Sequence, residues 1–155
     1  MPQNPQIHLV SRPTGEPTAD NFNLLTLDTP TLQDRQVLVK HEYMSLDPYM
    51  RGRMNDGKSY TAPHALYAVM VAGTVGEVVE SRHPDFAVGN KVVGMGGWQS
   101  YSVVDADVPA MLRKVDTTHV PISHFLGAVG MPGVTAWHGL VRIINPKAGQ
   151  TMTVS

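Results

Sequence analysis

No cysteine occurs among the 155 residues. Disulfide cross-links and thiolate chemistry are therefore excluded, and the commonest ligand of structural zinc is missing. Charge is sparse as well: 16% of the residues are charged, the formal net charge is -1, and no basic block interrupts the pattern. The electrostatic footprint of a nucleic-acid binder is absent with it. Long apolar runs are also lacking, since the longest, Ala65 to Gly73, falls far short of the roughly 20 residues a membrane helix needs. The N-terminus, Met1-Pro-Gln-Asn-Pro5, carries no basic stretch followed by an apolar core, so no signal peptide is expected. No membrane partner is expected either, and a cytoplasmic location is compatible with all of this.

What is present suits one ordinary soluble domain with room for part of a second, at 42% hydrophobic residues. The first two thirds read as β structure. Gln6–Ser11 is a first strand, Arg12–Asn21 is a Pro- and Gly-containing loop, and Phe22–Thr29 continues apolar until Pro30 closes it. Gln36–Met44 alternates, with Val37, Val39, His41 and Tyr43 on one face and Leu38, Lys40, Glu42 and Met44 on the other. Tyr67–Ser81 is a long β-branched run broken by Gly73 and Gly76, the pattern of a bulged or sharply bent strand. Lys91–Met95 and Trp98–Val104 are two further short strands joined through Gly94, Gly96 and Gly97. Regularly spaced short strands with glycine-rich joints point to a small barrel or sandwich.

The stretch Ser45-Leu-Asp-Pro-Tyr-Met-Arg-Gly-Arg-Met54 stands out against this background. Pro48 biases Asp47 away from helix and can itself open a helical turn. Tyr49 is thereby held at the start of a rigid turn, from which a hydroxyl can be aimed into a cleft. The competing reading is a capped loop whose Tyr49 packs on the core, as most tyrosines do. Asn55–His64 follows as a polar loop suited to a mobile rim.

Character changes near Pro121. Ile122–Val129 and Val134–Ile144 have helical spacing, and Val134, Trp137, Val141 and Ile144 share a face of the second. Asn145-Pro146 stops that helix, and Thr151–Ser155 reads as the start of another strand. A β-domain, a helix and then one new strand look like the opening of a βαβ sheet. A strand of that kind finds no partner within these residues.

Three motifs now carry a resemblance: Asp47-Pro-Tyr-Met-Arg-Gly-Arg-Met54, Gly97-Trp-Gln-Ser-Tyr101 and Gly130-Met-Pro-Gly-Val-Thr-Ala-Trp137. In order and spacing the chain resembles the zinc-free medium-chain dehydrogenase/reductase superfamily, in its branch of prostaglandin/leukotriene, alkenal and curcumin reductases. The resemblance implies a mainly β fold: a GroES-like β-barrel domain over residues 1–120, then, over 121–155, helices and the first strand of a truncated Rossmann domain. It implies NADPH as cofactor and, as substrate, a small-molecule enone or enal whose carbon–carbon double bond is reduced. Tyr49 would be the catalytic donor or an orienter of cofactor hydroxyls. Pro48 and Tyr49 would border the nicotinamide ribose, while Met131 and Thr135 would touch the nicotinamide end. Taken on their own, Met131 and Thr135 read as an ordinary helix N-terminus.

A dinucleotide site needs a glycine-rich strand-to-helix turn for its pyrophosphate. The residues stop at Thr153-Val-Ser155, where that turn would begin. These residues alone are therefore expected to bind NADPH poorly and to lack reductase activity. Homodimerisation through the apolar helical face is open to them. A zinc-free quinone reductase and a non-catalytic GroES-like binding module are the alternative functions.

Other candidates are weaker. None of the seven histidines forms an H-x-x-x-H pair, and where zinc-type relatives use Cys this chain has Ser45 or Leu46, so no metal site is expected. Arg51 and Arg53 could meet cofactor phosphates, but such residues more often pin a loop through carboxylates. Asp47 should accept hydrogen bonds from its own turn. His138 should be solvated or capped, Trp98 and Tyr101 should belong to the core, and Tyr60 and Tyr67 lie in or near the mobile rim, where either could touch substrate.

Overall fold

The computed structural model describes residues 2–108 and 111–154. Among these residues eight strands form two sheets. β1 (Gln3–Leu9), β2 (Phe22–Asp28) and β4 (Ala68–Val69) make a three-stranded antiparallel sheet in the order β2-β1-β4. β3 (Gln36–Met44), β5 (Thr74–Ser81), β6 (Lys91–Gly94), β7 (Tyr101–Asp105) and β8 (Leu112–Lys114) make a five-stranded sheet in the order β7-β3-β5-β6-β8. β8 is a strand that the sequence pattern did not suggest, being only three residues long and two-thirds charged.

The apolar run expected over Tyr67–Ser81 divides between the sheets. β4 pairs with β1, the chain crosses over residues 70–73, and β5 pairs with β3. Alternation alone could not show this, because both halves have the same β-branched character. Register shifts in the β3–β5 ladder fall between Leu38 and Val39 and between His41 and Tyr43, so the expected bulge is there. Gly76 explains its place: a Cβ on it would stand 2.0 Å from the Lys40 carbonyl oxygen, so only glycine lets the strands approach.

A second crossing closes the curl. Trp98 donates its N–H to the Met70 carbonyl (2.8 Å) and accepts from the Ile7 N–H (2.9 Å), after which the same segment enters β7 and pairs with β3. Gly97, with φ of +78°, turns the chain into this position. Asn4, fully buried, copies a strand pairing with its side chain. Its Oδ1 accepts from the Tyr101 N–H and its Nδ2 donates to the Tyr101 carbonyl, both at 2.9 Å.

Two apolar cores result. Val37, Val39, Val78, Phe86, Val92, Ala106 and Leu112 pack together on the five-stranded sheet. Leu9, Met50, Met54, Met70 and Ala72 form the other, with Phe22, Tyr49, Val71 and Trp98 packed against it. The simple two-faced reading of β3 holds only in part. Val37, Leu38 and Val39 are all buried, whereas Tyr43 and Met44 are exposed at the far end. The first half of that strand is buried in the core of the five-stranded sheet, and the second half emerges at its exposed end.

Beyond Pro121, Ile122–Leu126 is a 3₁₀ helix, shorter than the expected Ile122–Val129. α2 (Met131–Trp137) then runs into a π-helical segment, His138–Ile144. The wider π turn breaks the single apolar face expected over Val134–Ile144, and neither segment buries a residue. Asn145, at φ +47°, ends the helix as expected ahead of Pro146. Residues 151–154 are in no strand, a correction to the expected Thr151–Ser155 element whose last residue lies outside the described set. A strand needs a ladder partner, and the described residues offer none here.

Candidate functional site: a cavity at the proline elbow

Asp47 and Pro48 lead into α1 (Tyr49–Arg53), with Pro48 at the N-cap in helical geometry, φ -55°. The first turn is held by the Met50 N–H, which donates to the Asp47 carbonyl at 3.0 Å, and Met50 itself is buried in the second core. The elbow is thus bolted to the barrel by one side of its helix. Arg51 fastens it from outside: Nε and Nη2 donate to the Gly15 carbonyl at 3.0 and 2.7 Å, and Nη1 to Asn55 Oδ1 at 2.6 Å. Arg51 does pin a loop, but through carbonyl oxygens rather than through carboxylates. Arg12 completes the brace by donating to the Met54 carbonyl at 2.9 Å.

Tyr49 stands between core and opening. Its ring packs against the second core, and it lines a cavity of about 730 Å³ together with Ser45, Asp47 and Tyr60. The far walls are apolar, from Val93, Met95 and Leu112 on the barrel and Phe125, Leu126, Val129, Met131 and Val134 on the helices. Arg113 is the one basic side chain on this lining. Among the described residues the Tyr49 hydroxyl makes no hydrogen bond, so its donor is free for a ligand. Burial pushes the phenol above its ordinary value, the Asp47 carboxylate adds to the rise, and Arg53 opposes it. At neutral pH the group is an O–H donor and not a phenolate.

The remaining expected residues divide. Met131 lines the same cavity, while Pro48 and Thr135 are exposed and do not line it. Of the two rim tyrosines that could touch a substrate, Tyr60 joins the lining. Tyr67 stays outside, exposed and in left-handed backbone geometry at φ +62°. Trp98 stacks on Phe22 with ring centroids 5.5 Å apart, and its Nε1 is buried, as suits a core residue. His138 is exposed. Arg53 lies close enough to Tyr49 to influence it, and its Nε is buried without a hydrogen-bond partner among the described residues. No group of three His, Asp or Glu that could hold a metal occurs among the described residues. No helix there is long and apolar enough to cross a membrane.

Residues 5–114 match the family model described as the N-terminal domain of oxidoreductase. The chain belongs to that family. Its relatives place it in the zinc-free medium-chain dehydrogenase/reductase branch that includes curcumin, alkenal and prostaglandin reductases. It is 47% identical to the NADPH-dependent curcumin reductase of Escherichia coli, over 95% of this chain and 42% of that protein. It is 36% identical to the NADP(+)-dependent 2-alkenal reductase of Nicotiana tabacum, over 98% of this chain and 45% of that protein. The crystal structure of CurA from Vibrio vulnificus in complex with NADPH superposes with a TM-score of 0.83 at 45% identity, covering 94% of this chain and 42% of that one. The chain therefore spans about two fifths of the length of the curated relatives it matches. The GroES-like, mainly β fold agrees with this membership.

Proposed function

We propose that this chain forms the substrate-facing part of an NADPH-dependent reductase acting on the carbon–carbon double bond of α,β-unsaturated ketones and aldehydes. One observation carries the reading: a phenol O–H, without a hydrogen bond among the described residues, opens into a largely apolar cavity beside the Asp47–Pro48 elbow. Such a donor can hydrogen-bond the substrate carbonyl oxygen and stabilise the negative charge that gathers there when the double bond accepts hydride at its β-carbon. Apolar walls fit the hydrocarbon part of such a substrate and exclude water from the carbonyl.

NADPH supplies the hydride when bound. The residues fit that group in part: Tyr49 and Met131 share the cavity, and Pro48 and Thr135 flank it from exposed positions on the elbow and on α2. In this proposal Pro48 and Tyr49 border the ribose, and Met131 and Thr135 meet the nicotinamide. The division into a barrel unit over 1–120 and a helical connection over 121–155 belongs to the same proposal. It is supported by two cores that draw only on residues up to Leu112.

The test is steady-state reduction of an alkenal by NADPH in the full-length gene product. Tyr49→Phe should lower kcat/KM by roughly 10²-fold, the scale seen when one oxyanion donor is removed. Loss of less than about threefold would leave Tyr49 as a packing residue. Turnover of a quinone in preference to the alkenal would favour the quinone-reductase alternative.

A further inference from the structure

The motif Gly97-Trp-Gln-Ser-Tyr101 has no task in the reductase reading, yet it lies directly behind one wall of the cavity. Gly94 and Met95 belong to that wall, and the next residue, Gly96, is buried. β6 ends at Gly94, so Gly96 lies beyond the ladder and is held by side chains instead. Its N–H donates to the buried Thr74 Oγ1 at 3.0 Å, and its carbonyl accepts from Gln99 Nε2 at 2.6 Å. A Cβ on Gly96 would collide with the His41 ring and with Thr74 Oγ1, so only glycine fits this slot.

Gln99 is itself tied down from two other strands. Its Oε1 accepts from Asn4 Nδ2 at 3.1 Å and from Gln6 Nε2 at 3.0 Å, both on β1. Its main-chain carbonyl accepts from His41 Nδ1 at 2.9 Å, on β3. That bond puts the ring proton on Nδ1, so His41 Nε2 is the acceptor for Ser102 Oγ at 2.8 Å. A polar network satisfied this fully fixes one geometry.

Resting on the proposed function, we infer that Gln99 is a positioning residue: its amide fixes the Gly96 carbonyl and thereby sets the Met95 wall against the hydrocarbon chain of the substrate. On its other side Met95 is held more loosely, its N–H donating to the Met111 carbonyl at 3.3 Å, and its side chain is half exposed. An unbranched thioether follows whatever backbone carries it. The place of the wall is therefore decided at Gly96, and through it at Gln99. The consequence is selective. A long 2-alkenal reaches the Met95 wall, whereas a short one needs only the Tyr49 end of the cavity.

The experiment has two arms. In the chain labelled with ¹³C-methyl methionine, the Met95 resonance among the nine is assigned from Met95→Leu. Gln99→Glu keeps the size and the acceptor of Gln99 but puts an oxygen where the donor faced Gly96. It should move the Met95 methyl resonance and leave that of Met50, in the second core, in place. An unmoved Met95 resonance overturns the inference, and so does an equal displacement of Met50, which would mark Gln99 as a general packing residue. Should Gln99→Glu fail to fold, Gln99→Leu decides by the same readout. In the full-length gene product, Gln99→Glu should raise KM for 2-decenal about tenfold relative to propenal, the low end of what a hydrocarbon contact discriminates, with kcat for propenal unchanged. An unchanged KM ratio overturns the inference. The methionine readout needs no turnover, so absence of alkenal reduction in the wild type fails the reductase reading alone.

Discussion

At the scale of single residues, charge is used here to tie turns together. Asp107 receives Arg35 Nη2 at 2.6 Å and His83 Nε2 at 3.0 Å, with Arg35 Nε also bonded to it. His83 is buried, and its Nδ1 accepts from the Asp85 N–H at 3.1 Å, which leaves the ring proton on Nε2 to donate to Asp107. The 3.2 Å approach of Arg35 Nη2 to His83 Nε2 is then a meeting of two donors around a shared acceptor. Hydrogen bonds from Arg35, then from His83, hold the Asp107 carboxyl well below the usual range. A carboxyl depressed in the folded state contributes stability above its unfolded value near about 3.9, and that contribution is lost as the pH falls. The melting temperature of the wild type should therefore drop more steeply than that of Asp107→Asn between about pH 5 and pH 3. Parallel melting curves across that window would remove Asp107 from the acid response. None of this cluster could be read from the sequence, because its members lie far apart in the chain and no spacing links them. The elbow was legible for the opposite reason: Ser45, Asp47, Pro48 and Tyr49 are close neighbours, so local backbone rules suffice to present them together.

Elements were legible where one strand serves one sheet. Gln36–Met44 matches β3 end to end, since its ends are marked by turn residues on one side and Pro48 on the other. The split of Tyr67–Ser81 was not, because the sheet a strand joins depends on partners that come later and earlier in the chain. The glycines recorded that something bends there, and Gly76 records it most sharply. Gly76→Ala would drive a methyl into the Lys40 carbonyl at the bulge, with no flexible side chain to give way. Overpacking of this kind should cost about 3 kcal/mol, the upper end of its usual range. Gly57, exposed and with no atom within 4 Å of where a Cβ would stand, is the control. Its change to Ala should stay within about 0.5 kcal/mol. Urea denaturation at constant m-value measures both, and equal midpoints for the two variants would contradict the bulge argument.

Across the whole molecule, stability is unevenly spread. Both cores draw on residues up to Leu112, and Tyr49 packs against the second of them, so the candidate site is mounted on buried structure. The walls opposite are of another kind. Residues 131–154 contain no buried residue, and Val134, Trp137, Ile143 and Ile144 are all exposed apolar side chains. A helix of about three to four turns holds together in water only when such a face is covered. Amide hydrogen exchange should accordingly find residues 131–144 opening at a small fraction of the free energy that protects β3 and β5. The cavity would then have one rigid wall, carrying Tyr49 and Asp47, and one adaptable wall, carrying Met131 and Val134. Dilution separates the two ways of covering that face. Protection in 131–144 that rises with protein concentration marks a second copy packed there, whereas protection equal to that of β5 at every concentration would show that the helices are stable by themselves and would contradict the prediction.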